Sequence, residues 1–380
     1  MKHNAVVLGC GLVGATMARD MASDPEFNVV IADLNPENLR KLESVPNLIR
    51  KQEDVSEAKK LRTLIADADV VLGALPSRFG LQTLRTVLEC RKPYADISFM
   101  AEDAMELDSL AKEKGISAVV DCGVSPGLSN LMIGRSVAEF DETRRAEIYV
   151  GGLPKARRWP FQYKAPFAPH DVIEEYTRPA RLVENGRVVV KAALSEPELI
   201  DFPRVGTLEA FNTDGLRSLL KTVMVPDMKE KTLRYPGHAE LMRVFRETGL
   251  FSQETIDVRG ARIVPREVTS RLLFPLWAKE EGEQEFTVLR VIVEGAKSAE
   301  SFRHTYDLYD ETDAKTGTSS MARTTAFPCA IVARMLARRM ITEPGVFPPE
   351  LLANNSIFFD HILDALHHRG VHIARKSEKA

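Results

Sequence analysis

The sequence predicts an α/β protein: a doubly wound parallel sheet followed by a second, largely antiparallel α+β domain. Three observations predict it. An apolar run near the start of the chain ends at a glycine cluster. Strand-like apolar runs then alternate with helical patterns through the first third, which implies parallel strands joined by helices. After that the texture changes to strand-like runs broken by Gly, Asn-Gly and Pro signals, the mark of antiparallel hairpins. A chain of 380 residues is long enough for two domains. The expected division is residues 1–124 with 318–380 for the first domain, and 125–317 for the second.

The first strand is "NAVVL", Asn4 to Leu8, and "GCGLVG" follows it, giving Gly9-x-Gly11-x-x-Gly14 before the helical "ATMARDMAS". Strand, glycine turn and helix in that order form the Rossmann-type fingerprint for a dinucleotide. The first glycine permits the turn, the second lets a pyrophosphate approach the backbone, and the third lets helix and strand pack closely. Amides at the helix N-terminus then face the phosphates. The next strand, "FNVVIADLN", ends at Asp33. A carboxylate there accepts hydrogen bonds from the adenosine ribose and repels a 2′-phosphate, so NAD is the expected cofactor. The expected contact set is Gly9, Gly11, Leu12, Val13, Gly14, Asp33, Leu34, Asp54, Val55, Ala74, Leu75, Pro76 and Cys122.

Further strands are read at Ala66–Pro76, Pro93–Phe99 and Ile116–Gly123. Ligands of such sheets sit beyond the carboxyl ends of the strands, which draws attention to Asp96 and Asp121 as acid–base candidates. For Asp121, capping of the following turn is an equal alternative. Cys122 reads as a packed small residue. The helix within Ser319–Ile341 is expected to return to the first domain, its arginines forming a solvated face.

In the second domain, "TLRYPGHAE" gathers Arg234, Tyr235 and His238 around a Pro-Gly turn. Arg234 has the fork geometry for a carboxylate. His238 suits either a substrate contact or a general base, with packing beside Tyr235 as the plainer alternative. In "TLEAFNTDG", Glu209 and Asn212 are candidates for an α-amine, against a helix cap.

Hydrophobic content of 44% and charged content of 28% are those of an ordinary globular protein, and a net charge of -3 argues against nucleic acid. The four cysteines are widely spaced, with no metal-ligand pattern, so no metal is expected and the thiols read as reduced. No apolar run approaches the length of a bilayer, and the chain opens directly into a strand without a signal-like segment. A cytoplasmic protein without membrane contact is expected.

"CGVSPGLSN", "TLEAFNTDGLRSL" and "KTLRYPGHAE" resemble signature segments of the saccharopine dehydrogenase superfamily, and the likeness extends to "GTSSMARTTAF" and "GVFPPE". Two branches are relevant: glutamate-forming saccharopine reductases and lysine 6-dehydrogenases. The chain length, "IYVGGLP", and Ser125 where the reductases carry Asp resemble the lysine branch. The acidic "DIS" at Asp96–Ser98 does too. The resemblance implies NAD-dependent oxidative deamination of L-lysine at its ε-amine. The product would be 2-aminoadipate 6-semialdehyde, which cyclises with its own α-amine, and ammonia would leave. It also places Arg234, Tyr235, Ser125, Glu209 and Asn212 at the substrate, with Asp121, His238 and Asp96 as catalytic candidates. A homodimer through the second domain is expected. The alternatives are saccharopine oxidation, with Arg78, Arg157 or Arg158 as a second carboxylate clamp, and a non-catalytic NAD-binding regulator.

Overall fold

The computed structural model describes residues 2–167, 169–280 and 282–379. It divides into two compact units, Met1–Ala138 with Ala322–His372, and Glu139–Met321 with Ile373–Ala380. The helix Leu128–Glu139 thus belongs almost wholly to the first unit, beyond the boundary expected at 124.

The first unit is built on β1 (His3–Leu8), β2 (Phe27–Asp33), β3 (Leu48–Gln52), β4 (Val70–Gly73), β5 (Tyr94–Asp96) and β6 (Ser117–Val119). These strands run parallel in the order β6-β5-β4-β1-β2-β3, and Gly345–Phe347 adds a seventh beside β6. That last strand lies in the Pro-rich "GVFPPE", where three residues offer no periodicity to read. β4 is buried along its whole length, as a strand covered on both faces must be. Val6, Leu8, Val71, Tyr94 and Val120 pack there with Leu84, Val87 and Leu88 of the helix Gly80–Glu89.

The helix Ser320–Ala337 carries Arg334, and here the expectation of a solvated arginine face fails. Arg334 is 5% exposed. Its guanidinium pairs with Asp20 at 2.5 Å and Asp24 at 3.1 Å, on and just past the helix Leu12–Ala22. Arg338 continues the network to Asp24 and Glu26. Helical spacing alone could not show that acidic partners from the other end of the sequence would meet that face.

The second unit contains β7 (Glu142–Pro154), β8 (Ala180–Glu184), β9 (Arg187–Lys191), β10 (Glu198–Phe202), β11 (Gly206–Asn212), β12 (Asp227–Arg234), a separate hairpin of β13 (Ile256–Val258) and β14 (Ala261–Ile263), then β15 (Glu285–Lys297) and β16 (Glu300–Glu311). In the main sheet β12 pairs with β7 in parallel, and the other described pairings are antiparallel. β16 alternates buried and half-buried positions, the period-two pattern of a sheet with unequal faces. The final strand, Ile373–Lys379, pairs antiparallel with β16 and so leaves the first unit, contrary to the expected division. Its "IARKSEK" reads as a polar tail because an edge strand tolerates lysines and needs few apolar residues.

Candidate active site

The dinucleotide turn has the geometry that its glycines suggest. Gly9 has φ +94°, a left-handed conformation, and a Cβ there would lie 2.5 Å from the Ala74 carbonyl oxygen. A Cβ on Gly14 would lie 2.1 Å from the Gly9 oxygen, so only glycine lets the helix Leu12–Ala22 sit this close to the turn. A Cβ on Gly11 would meet nothing within 4 Å, which leaves open space over the helix N-terminus for a phosphate. Leu12, which follows Gly11, and Leu34, which follows Asp33, are both exposed. Asp33 accepts from the Cys10 amide at 2.6 Å and the Asn35 amide at 2.7 Å, which fixes the carboxylate at the end of β2. These residues fit a nicotinamide dinucleotide.

Ala74 and Leu75 lie against Gly9, and the Ala74 amide donates to the Leu8 carbonyl at 2.9 Å. Val55 lines a narrow depression with Phe79 and Gln82. Asp54 is occupied locally: it accepts from the Ser56 amide and hydroxyl at 3.0 and 2.6 Å, which hold its carboxyl below the usual range. Cys122 is 2% exposed, and burial pushes its thiol well above the usual range.

The carboxyl ends of β1, β4, β5 and β6 share one edge of the sheet, so the glycine turn, Asp96 and Asp121 belong to one border. Gly73 stands opposite Asp96 in the pairing of β4 with β5, and the Cys122 amide donates to the Asp96 carbonyl at 2.8 Å. Asp121 has φ +54° and is 6% exposed. Aspartate tolerates this left-handed conformation, which twelve other non-glycine residues among those described also adopt. Asp96 is wholly buried, and burial, reinforced by Asp121, pushes its carboxyl up to about 7. Ser125 accepts a hydrogen bond from Ser129 at 3.0 Å.

The bend of the second unit is arranged differently. Arg234 ends β12, Gly237 adopts φ +94°, and His238 opens the helix His238–Glu247. Arg234 is 2% exposed and pairs with Glu175 at 2.6 Å. Its Nε donates to the Tyr176 hydroxyl at 3.2 Å, and its Nη2 lies 3.4 Å from the Tyr163 hydroxyl. His238 Nδ1 lies 2.9 Å from the Phe161 carbonyl, which can only accept, so Nδ1 carries the proton. Nε2 must then accept from Tyr176, 2.9 Å away. The chain of donors runs from Arg234 through Tyr176 to His238. Burial and the Arg234 charge push the imidazole down to about 3.

A general-base role for His238 therefore meets a physical obstacle: the lone pair is spent and the ring is sealed. Arg234 as a carboxylate ligand requires displacement of Glu175. Tyr235 donates to the Pro154 carbonyl at 2.9 Å and carries Arg157 over its ring. Glu209 accepts from the Gly237 and Ala239 amides at 3.2 and 3.3 Å, capping the helix His238–Glu247. Asn212 donates to Ser195 and Glu196 at 3.1 and 2.9 Å. Arg158 pairs with Glu280 at 2.7 Å.

Sequence reasoning missed Glu175, Tyr176 and Tyr163, and also Glu230. Burial pushes Glu230 up to about 8, while a hydrogen bond from Thr213 at 2.5 Å opposes the rise. Only the alternation of β12, which sets Glu230, Thr232 and Arg234 on one face, hinted at this cluster. Among the described residues no group of side chains is arranged to hold a metal, the four cysteines are free, and no helix is long and apolar enough to cross a membrane.

Comparison with known proteins agrees with the two-part architecture. Residues 5–119 match the family model of the saccharopine dehydrogenase NADP binding domain, and residues 123–371 match that of the saccharopine dehydrogenase C-terminal domain. The chain is 24% identical over 277 residues to alpha-aminoadipic semialdehyde synthase of Arabidopsis thaliana, a match covering 67% of this chain and 26% of that protein. It is 23% identical over 292 residues to saccharopine dehydrogenase (NADP(+), L-glutamate-forming) of Pyricularia oryzae, covering 73% of this chain and 64% of that one. It thus spans about a quarter of the first relative and under two thirds of the second. The fold matches apo saccharopine dehydrogenase (L-Glu forming) from Saccharomyces cerevisiae with TM-score 0.80 and 19% identity, over 99% of this chain and 100% of that one. Matched by both domain models along most of its length, the chain belongs to the saccharopine dehydrogenase family.

Proposed function

We propose that the protein is an NAD-dependent dehydrogenase of a lysine-type amine, converting L-lysine at its ε-carbon to 2-aminoadipate 6-semialdehyde and ammonia. The observation that carries this reading is Asp121, a nearly buried carboxylate at the strand edge that also bears the dinucleotide turn. The dinucleotide, when bound, supplies the hydride acceptor. Gly9, Gly11 and Gly14 make room for its pyrophosphate. Asp33 accepts from the ribose hydroxyls and repels a 2′-phosphate, and the neighbouring Leu34 offers no cation to hold one. Asp121 pairs with the substrate ammonium and orients the water that releases ammonia. Within the second unit, Arg234 is suited to a carboxylate in exchange for Glu175, and Tyr176, braced by His238, keeps the guanidinium in register.

A second reading is glutamate-forming saccharopine oxidation, favoured by the names of the relatives from Pyricularia oryzae and Saccharomyces cerevisiae. Saccharopine brings three carboxylates, whereas the one deeply placed guanidinium of the bend already faces Glu175. That balance supports the smaller, more cationic substrate. We assign a homodimer contact to the second sheet, where Val188, Val190 and Leu199 are exposed. The deciding assay follows reduced cofactor with lysine or saccharopine, each with NAD or NADP. Turnover of lysine with NAD is the expected outcome; turnover confined to saccharopine transfers the protein to the second reading.

A further inference from the structure

Behind Asp121, the end of β5 holds an unusual pair of polar groups. Tyr94 and Asp96 are both 0% exposed, deep in the parallel sheet. Ser98 donates to Asp96 Oδ1 at 2.8 Å, while Asp96 Oδ2 and the Tyr94 hydroxyl have no hydrogen-bond partner among the described residues. Both side chains lean over Gly73: a Cβ there would lie 2.0 Å from the phenol oxygen and 2.2 Å from Asp96 Oδ1. The missing side chain of Gly73 is the space in which phenol and carboxyl meet.

A carboxylate in this position would bury a charge with one oxygen bare. Such a charge is expensive in an apolar interior, and the usual relief is to keep the proton. The groups facing Asp96 are Tyr94 on its own strand, Ser98 beyond it, Asp121 and Cys122 at the end of β6, and Cys329 of the helix Ser320–Ala337. None of these is a cation, and Asp121 adds a like charge. Asp121 retains some exposure where Asp96 has none.

We propose that Asp96 is a positioning residue, held as a neutral acid behind Asp121 by its complete burial and by the space over Gly73 that it shares with the Tyr94 phenol. The proposal rests on the reading that Asp121 meets the substrate ammonium. It orders the two aspartates: Asp121 faces the ligand, and Asp96 acts through it. A phenol beside the carboxyl favours its ionised form over the neutral one, which gives the substitution of Tyr94 a definite direction.

The test is infrared difference spectroscopy of the full-length protein between about pH 6 and about pH 9, bracketing the Asp96 ionisation. The carbonyl stretch of a protonated carboxylic acid is expected at the lower pH and lost at the higher. Glu230, pushed up to about 8 by burial, contributes a second such band, and Asp96→Asn removes only the one that belongs to Asp96. Tyr94→Phe, which keeps the ring, moves its loss to higher pH. A carboxylate at both pH values, or a titration unmoved by Tyr94→Phe, overturns the proposal whether or not the protein oxidises any amine. With an active substrate, kcat/KM against pH carries an inflection that shifts upward in Tyr94→Phe and vanishes in Asp96→Asn. If Asp121→Asn leaves KM for the amine unchanged while the infrared results stand, the substrate reading fails and the neutral acid survives.

Discussion

The edge of the parallel sheet and the bend Thr232–Glu240 both concentrate polar side chains at a turn, yet they differ in what those side chains are free to do. At the sheet edge the backbone makes the site. Gly11 leaves open space, and Asp33 is fixed by backbone amides. At the bend the side chains satisfy one another: Arg234 by Glu175, His238 by Tyr176 and Phe161, Glu209 by the helix amides. A site built from backbone geometry is ready for a ligand. One built from paired side chains must break a pair to admit it.

The largest effect is expected where geometry leaves no latitude. Gly14→Val drives a side chain into the Gly9 carbonyl and abolishes dinucleotide binding; titration with NAD, with circular dichroism as a control for folding, checks it. At the bend, Glu175→Gln leaves the Arg234 charge buried without its counter-ion. Breaking such pairs costs about 3–5 kcal/mol, and here roughly 2–4 because Glu175 keeps some contact with water. Denaturant unfolding measures that loss, and an unchanged midpoint would show that Arg234 does not depend on the pair.

The imidazole of His238 supplies a test that sharpens the contrast. Its folded pKa, near 3, lies below the ordinary value of 6.5. Between these values the unfolded chain binds the extra proton, so the contribution of the neutral ring is present above about pH 6.5 and is lost as pH falls toward 3. His238→Gln flattens the acid limb of a plot of melting temperature against pH, whereas a base exposed to substrate would leave that limb in place. Asp96 has the opposite sign. Its raised pKa makes the unfolded chain the weaker proton binder between about pH 4 and 7, so parent stability declines as pH rises through that window. The melting temperature of Asp96→Asn should gain on the parent by a few degrees over the same range. The smallest effect is at the cofactor: on the proposed NAD reading, Asp33→Ser shifts the ratio of NAD to NADP affinity toward NADP by about tenfold, the scale of one hydrogen-bonded, charge-bearing contact. Cofactor titrations read it directly.

The sequence by itself determined the nucleotide half of this protein. A strand, a glycine turn, a helix and a strand-end aspartate are consecutive, and each acts through local backbone chemistry: left-handed φ at Gly9, close approach at Gly14, amides at a helix start. The alternation of apolar runs likewise marked five of the parallel strands and several strands of the second unit, but not β3 or the strand Gly345–Phe347. Only the tertiary structure decided the state of the charged groups. Glu175 and Arg234, or Arg334 and Asp20, are far apart in the chain, and nothing in the spacing of either residue announces its partner. The same holds for Asp96, whose neutrality depends on the absent side chain of Gly73 and on Tyr94, Asp121 and Cys329 closing around it. Local periodicity fixes where a side chain points; whether it is charged depends on the long-range packing that removes its water.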